Sequence, residues 1–247
     1  MSAPALVALA HGSRDPRSAR TIRALVEQAR LMRPDLRMHV AFLGHSEPAF
    51  GTVVDRLARA GHEEIVVVPL LLTEAFHAKV DVPRAVEDAS ARHRDLRIRA
   101  SRILGLEAAF LGVLDRRLRA VLRQARVREL DALVLAGAGS SDSLANHSVA
   151  RLARLWGSRH RLPTVAAYAS ASPPTTGEAV RAFRADGRRH VAVGSLFLAP
   201  GTLPDRAAEL ALEAGAVAVS DPLGADPEIA RALLARYAVG AVELVPV

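Results

Sequence analysis

Two histidines of the sequence lie in short motifs that follow apolar runs. The first motif, HGSRDP, covers residues 11–16 and comes directly after the apolar run of residues 6–10. Ligands of open α/β sheets gather outside the carboxyl ends of the strands, and the N-terminus of a helix favours anionic groups. Gly12 lets the backbone turn tightly or approach a ligand. The motif therefore places His11 at the rim of a predicted sheet, where a lone histidine is more often structural than functional.

The second motif, PLLLTEAFHAKVDVP, covers residues 69–83 and contains His77. It follows the third apolar run of the chain, and the first and third strands are commonly neighbours in a doubly wound sheet. We therefore expect His11 and His77 to face one cleft. Two neutral imidazoles suit borderline divalent ions such as iron(II), cobalt(II) or nickel(II). They also leave coordination positions open, which a site needs if its metal is to pass to another ligand set.

The elements that position these motifs are indicated by apolar runs that alternate with amphipathic stretches, a pattern typical of a parallel α/β fold. In the first half, the predicted strands are residues 6–10, 38–43, 64–72 and 96–100, and the predicted helices are residues 16–31, 48–60, 82–92 and 107–125. Asp15 is the predicted N-cap of the first helix, with Pro16 in its first turn. Neither a G-x-x-x-x-G-K-[ST] phosphate loop nor a G-x-G-x-x-G motif is present, so no nucleotide is expected.

The same pattern starts again in the second half of the sequence. Residues 133–142 align with residues 6–15, residues 167–174 with residues 41–48, and residues 191–205 with residues 66–80, at offsets of 127, 126 and 125. Three matches in the same order at a nearly constant offset indicate a tandem duplication. We predict two α/β domains with Rossmann-like parallel sheets, residues 1–126 and residues 127–247. Ala138 stands opposite His11 and Thr202 opposite His77, so the first domain keeps the metal chemistry and the second is a degenerate repeat.

Composition restricts the class of protein. Of the 247 residues, 50% are hydrophobic and 24% are charged, which indicates a globular chain. The absence of cysteine excludes disulfides and thiolate metal ligands. No apolar run reaches the roughly 20 residues that cross a bilayer, and the N-terminus lacks the basic region of a signal peptide. We therefore expect a cytoplasmic protein that has no membrane partner.

The net charge of +7 permits a nucleic-acid ligand, but two observations argue against one. Aromatic residues are 4% of the chain, which leaves little for base stacking. All but one of the 33 basic residues are arginines, and they are scattered through the sequence. The positive charge suits a small polyanionic substrate at least as well, so no nucleic-acid partner is expected.

The two motifs, at this spacing, resemble those of the class II chelatases, the sirohydrochlorin and early cobalt chelatases of siroheme and cobalamin synthesis. The resemblance covers essentially the whole chain, because the long bacterial members of that family are similar tandem duplications. It implies two Rossmann-like domains with the tetrapyrrole between them. It also implies that His11 and His77 bind the incoming metal and are the catalytic residues. The metal is then a substrate, and no permanently bound cofactor is expected.

The resemblance further implies an activity. The predicted reaction is the insertion of iron(II) into sirohydrochlorin in siroheme synthesis. The alternatives are the insertion of cobalt for cobalamin synthesis, and a carrier that binds tetrapyrrole or metal without catalysis. The expected partner is a small tetrapyrrole, and the protein is expected to be a monomer or a homodimer.

Residues in both motifs are candidates for binding this carboxylate-rich substrate. Arg14, at the mouth of the site, and Lys79, the only lysine, are expected to meet substrate carboxylates. Gly12 and Ser13, in the first loop, are expected to contribute to the same binding site. The arginines that follow Arg14 at every third residue are expected to form a solvated helix face.

Three further residues are auxiliary candidates. Many class II chelatases carry an acidic residue after the second strand, where this chain has Gly44, with His45 and Glu47 close behind. His45 and Glu47 are candidates for auxiliary metal ligands or proton acceptors; the alternative is a turn residue and a helix-start carboxylate. Asp81 either fixes the tautomer of His77 by accepting a hydrogen bond or caps the helix that begins near Pro83.

Overall fold

The chain forms two four-stranded parallel sheets flanked by helices. The computed structural model describes residues 3–74 and 77–244, without the side chains of residues 77 and 78. In chain order the elements are β1 (Ala5–Ala10), α1 (Pro16–Met32), β2 (Met38–Phe42), α2 (Phe50–Arg59), β3 (Glu64–Pro69), a π-helical turn (His77–Asp81), α3 (Val82–Arg92), β4 (Arg97–Ala100), α4 (Phe110–Gln124), β5 (Ala132–Gly137), α5 (Ser143–His160), β6 (Thr164–Tyr168), α6 (Thr176–Ala185), β7 (Val191–Ser195), α7 (Thr202–Glu213), β8 (Ala218–Val219) and α8 (Pro227–Val242). In this described part of the chain, no helix is both long and apolar enough to span a membrane.

The two sheets share one strand order, which confirms the predicted pair of Rossmann-like parallel sheets. The first sheet runs β2-β1-β3-β4 and the second runs β6-β5-β7-β8. The central strands β1 and β5 are buried along their whole length, and strands buried on both faces need continuous apolar sequence, here ALVALA and ALVLAG. β1 and β3 are neighbours, as the predicted cleft between the two histidine motifs requires.

Carboxylate caps begin α1 and α5 at equivalent positions in the two halves. Asp15 Oδ1 accepts a hydrogen bond from the backbone N–H of Arg17 at 2.8 Å, and Asp142 Oδ1 accepts one from Leu144 at 3.0 Å. The first of these bonds confirms the predicted N-cap at Asp15. Pro16 occupies the first turn of α1, where its missing N–H costs no hydrogen bond. Each cap therefore fixes where the helix begins after the loop that follows a central strand.

The chain divides into two compact units that do not coincide with the sequence repeats. Residues up to Gly105 and from Ala225 onward form unit 1, and Leu106–Gly224 form unit 2. The units therefore differ from the predicted domains, residues 1–126 and 127–247, which follow the repeat. Each repeat gives its last helix to the other unit: α4 belongs to unit 2, and α8 belongs to unit 1.

Specific contacts hold these two helices in their units. In unit 2, the buried carboxylate of Asp115 on α4 accepts a hydrogen bond from Trp156 Nε1–H at 2.8 Å and lies 2.7 Å from Nε2 of His160, both on α5. In unit 1, the hydroxyl of Tyr237 on α8 donates to the carbonyl oxygen of Pro4 at 2.7 Å. An amphipathic pattern shows which face a helix buries but not which sheet it covers. For this reason the sequence does not reveal the exchange.

A half-buried histidine on β2 is expected to make stability depend on pH. Burial, followed by the charges of Arg30, His62 and Arg56, lowers the pKa of His39 below its ordinary value of 6.5. Below pH 6.5 the unfolded chain therefore binds a proton that the folded chain resists, and the free energy of unfolding falls as the pH decreases. We expect His39→Gln to lose less stability than wild type between about pH 7.5 and pH 5 in urea titrations. Equal losses in the two proteins would contradict this assignment.

Candidate functional site

The cleft of unit 1 lies where β1 and β3 end. The chain leaves β1 to build β2 on one side and passes through β3 to build β4 on the other, so the topological switch point lies between β1 and β3. Ligands of α/β folds bind in the crevice at such a point. Leu9 pairs with Pro69 near the carboxyl ends of the two strands. His11 follows directly and is half-buried, with its Nδ1 atom fully buried.

The loops after β1 and β2 lie so close together that residue 12 must be glycine. Gly12 has a φ of 94°, and a Cβ atom there would lie 1.7 Å from the carbonyl oxygen of Gly44. The N–H of Gly44 donates to the carbonyl oxygen of His11 at 3.0 Å. The hydroxyl of Ser46 accepts from the N–H of Ser13 at 3.1 Å and donates to its carbonyl oxygen at 2.9 Å. These contacts fix the backbone on both sides of the His11 side chain.

Two imidazoles meet at this pair of loops. The ring centroids of His11 and His45 are 6.2 Å apart, with an interplanar angle of 72°. His45 is exposed and has a left-handed φ of 58°. The backbone of His77 begins the π-helical turn before α3, but its side chain lies outside the described residues. The structure thus brings His11 and His45 together, and the pairing of His11 with His77 stays a prediction.

A cavity of about 360 Å³ opens beside these two imidazoles. It is lined by His11, Leu43, Gly44, His45, Asp81, Arg84, Ala85 and Asp88. Arg84 and Ala85 lie three and four residues after Asp81, and four and three before Asp88, which places all four on one face of α3 and the turn before it. Sequence reasoning missed Arg84 and Asp88. The signal that could have found them is this helical spacing, counted onward from Asp81.

Asp81 and Glu47 differ in what their side chains do. Asp81 is half-buried, lines the cavity and stands at the N-cap position of α3, yet its carboxylate makes no capping hydrogen bond. Glu47 Oε2 accepts a hydrogen bond from the N–H of Ala49 at 2.9 Å, where α2 begins. The helix-start role therefore fits Glu47 and does not fit Asp81. No three His, Asp or Glu side chains that the structure describes form a group able to hold a metal ion.

The cations predicted to bind carboxylates are not part of the cavity lining. Arg14 and Lys79 are exposed but lie outside the set of residues that line it. Arg17 is paired with the carboxylate that caps α1, at 2.5 Å. Arg23 donates to the carbonyl oxygen of Glu47 at 2.5 Å. The arginines that follow Arg14 on α1 were expected to form a solvated face, and Arg17, Arg20 and Arg23 are indeed exposed. Arg17 and Arg23 also pair with oxygens of the neighbouring loops.

Unit 2 keeps the same pair of loops without the histidine. Gly139 has a φ of 84°, and a Cβ atom there would lie 1.9 Å from the carbonyl oxygen of Ser170. The N–H of Ser170 donates to the carbonyl oxygen of Ala138 at 3.0 Å, as Gly44 does to His11. Thr202, which aligns with His77, is the first residue of α7. The tight loop geometry therefore does not require an imidazole, so the loop structure alone does not account for His11.

The sequence matches the model of the CbiX family over residues 5–121 and again over residues 132–239. A sirohydrochlorin cobaltochelatase from Priestia megaterium is 25% identical over 206 residues, which are 81% of this chain and 66% of that protein. A sirohydrochlorin ferrochelatase from Bacillus subtilis (strain 168) is 29% identical over 154 residues, which are 61% of this chain and 57% of that protein. The matched part thus spans less than two thirds of either relative.

The fold is also that of a solved structure. SirB from Bacillus subtilis with Fe³⁺ superposes with a TM-score of 0.81 and 24% sequence identity, and the superposition covers 98% of this chain and 96% of that one. Similarity over nearly the whole of both chains shows that they share one fold.

Proposed function

Because the chain belongs to the CbiX family, we propose that it is a metal chelatase that inserts a divalent ion into sirohydrochlorin. The observation that carries the proposal is the position of His11, half-buried at the switch point of the first sheet and beside a second imidazole, His45. Relatives named for this activity with cobalt and with iron support it. An imidazole placed there can hold a metal while other residues of the cleft hold the macrocycle.

The incoming metal is held by His11 and His77 in this proposal. Neutral imidazoles bind iron(II), cobalt(II) and nickel(II), and a two-ligand site leaves positions that the macrocycle nitrogens can occupy. His45, near His11, is placed either to act as an auxiliary ligand or to accept a proton, and we assign it the second role. The loop contacts around Gly12 support the first ligand, since a site on a fixed backbone needs little rearrangement when the metal transfers.

Insertion of the metal releases two protons, because two pyrrole N–H groups lose their hydrogens as the ion enters the ring. His45 and Asp81 are the proposed acceptors, since both line the cavity and since imidazole accepts protons near neutral pH. Glu47 is a weaker candidate because it does not line the cavity. The exposure of His45 gives the protons a route to solvent.

We propose iron(II) as the physiological metal and cobalt(II) as the second candidate. Relatives named for each ion support both candidates: a ferrochelatase matches at 29% identity over 154 residues, and a cobaltochelatase at 25% over 206 residues. Imidazole ligands accept both ions, so metal supply in the cell contributes to the choice. The ratio of kcat/KM for the two ions, measured on the same enzyme, decides between them.

The visible spectrum of sirohydrochlorin, followed over time with iron(II) or cobalt(II), tests the proposal. We expect the protein to accelerate the spectral change of metallation above the protein-free rate with at least one of the two ions. Tight binding of the pigment without acceleration would instead indicate a carrier. A folded protein that neither binds nor metallates the pigment would exclude sirohydrochlorin as its ligand.

A further inference from the structure

Among the cavity-lining residues in the described part of the chain, Arg84 is the one arginine. It follows Asp81 by three residues and precedes Asp88 by four, so the three side chains lie about one helical turn apart on the same face of α3. His11 and His45 line the same cavity. The cleft therefore combines the imidazoles with a single guanidinium that has a carboxylate on each side along the helix.

The guanidinium of Arg84 is accessible to a ligand. Arg84 is exposed, and within the described residues no group accepts a hydrogen bond from it or lies within 4.0 Å as an ion-pair partner. Arg17 and Arg23 differ in this respect, because each is already engaged by an oxygen of the protein. The N–H donors of the Arg84 guanidinium are therefore available to acceptor oxygens of a ligand.

We infer that Arg84 binds a carboxylate at the edge of the tetrapyrrole, an inference that rests on the proposed function. A guanidinium and a carboxylate pair through two parallel hydrogen bonds, which fix orientation as well as position. The cavity of about 360 Å³ is near the lower end of the range for small-molecule sites, about 300–1,000 Å³. It therefore holds one edge of the macrocycle, and the carboxylate of that edge lies over α3.

Asp81 and Asp88 add specificity to this contact. One turn of helix is about 5.4 Å long. If the substrate were shifted by one turn along α3, its carboxylate would lie next to Asp81 or Asp88, which carry the same charge, instead of next to Arg84. The same two carboxylates attract the metal cation toward the cleft. The charge pattern of α3 thus favours one placement of the macrocycle edge.

The dissociation constant of metal-free sirohydrochlorin, measured by absorbance titration, tests the role of Arg84 separately from turnover. We expect Arg84→Ala to raise this constant and the KM for sirohydrochlorin about tenfold, while kcat and the KM for the metal ion change less than about twofold. Arg84→Lys should recover part of the loss, because an ammonium keeps the charge but not the fork. Arg94→Ala, at an exposed arginine outside the cavity lining, should behave as wild type.

Removal of the negative charge of Asp88 is expected to lower the dissociation constant of sirohydrochlorin, the opposite of the effect of Arg84→Ala. Asp88→Asn is expected to tighten sirohydrochlorin binding about twofold at low salt and not at high salt, because screening removes the repulsion. Glu87→Gln, at the neighbouring exposed carboxylate outside the lining, should leave the dissociation constant unchanged.

If wild type metallates the pigment but Arg84→Ala binds it equally well, the inference is overturned and the proposed function stands. If wild type binds no sirohydrochlorin, the proposed function fails, and the inference fails with it.

Discussion

Replacement of His11 by alanine is expected to reduce metal insertion nearly to the rate of the protein-free reaction. The proposed mechanism uses this imidazole to hold the ion at the end of β1, and misplacement of a reactant costs on the order of 10²-fold in rate. The variant should remain folded, because unit 2 has alanine at the equivalent position and keeps the same loop hydrogen bond, from Ser170 to Ala138 at 3.0 Å. The measurement is the initial rate of metallation of sirohydrochlorin with iron(II) and with cobalt(II).

His147→Ala is the matched control for this variant. His147 is an exposed histidine on α5 and does not line the cavity of unit 1. It should metallate sirohydrochlorin at the wild-type rate. A folded His11→Ala variant that keeps more than about a tenth of the wild-type rate would argue against His11 as the essential metal ligand.

Replacement of Gly12 by alanine is expected to destabilise the protein by at least about 3 kcal/mol. The left-handed backbone alone costs a residue with a Cβ atom about 1–2 kcal/mol. In addition, the new Cβ atom would lie 1.7 Å from the carbonyl oxygen of Gly44, and no side-chain rotation relieves a clash with backbone. Both loops must shift, so we also expect His11 to move and metallation to be lost.

Gly61→Ala separates the two components of this effect. Gly61 also has a positive φ, 78°, but its added Cβ atom would meet nothing within 4 Å. This control should therefore lose only the conformational part, about 1 kcal/mol, and should keep its activity. Urea unfolding of the three proteins gives the comparison. Equal losses of stability in the two variants would mean that the loops after β1 and β2 adapt to a larger residue.

Sequence reasoning predicted the parts of the fold that depend on local pattern and repetition. The apolar runs located the four strands of the first sheet, and the carboxylate before Pro16 located the start of α1. The recurrence of the first motif around Gly139 revealed the duplication. The resemblance to the chelatases, based on two motifs, is confirmed by the family match over both halves of the chain. The assignment of α4 and α8 to opposite units could not be predicted, because it depends on contacts between residues far apart in sequence.

The sequence predicted the site residues that lie in a recognisable motif. It did not predict those that line the cavity only because of the face of the helix on which they lie. His11 lies in the cleft of unit 1 as its motif indicates, and His45 joins it because two neighbouring loops are locked together. Arg84 and Asp88 come after the second motif, on a helix with no unusual composition. Their position becomes clear only when the face of α3 that lines the cavity is known. The pairing of His11 with His77 stays a prediction.

Because α4 and α8 each belong to the unit of the other repeat, the two units cannot complete their folding in the order in which they are synthesised. α8 packs on β3 and α1, and Tyr237 bonds to a residue 233 positions earlier in the chain. Contacts of such separation form late, because the loop between them must close first. The strands of unit 1 leave the ribosome early, yet α8, one of the helices that pack on them, emerges after the whole of unit 2. The histidine-bearing unit is therefore synthesised first and completed last, and its apolar surface needs protection in the interval.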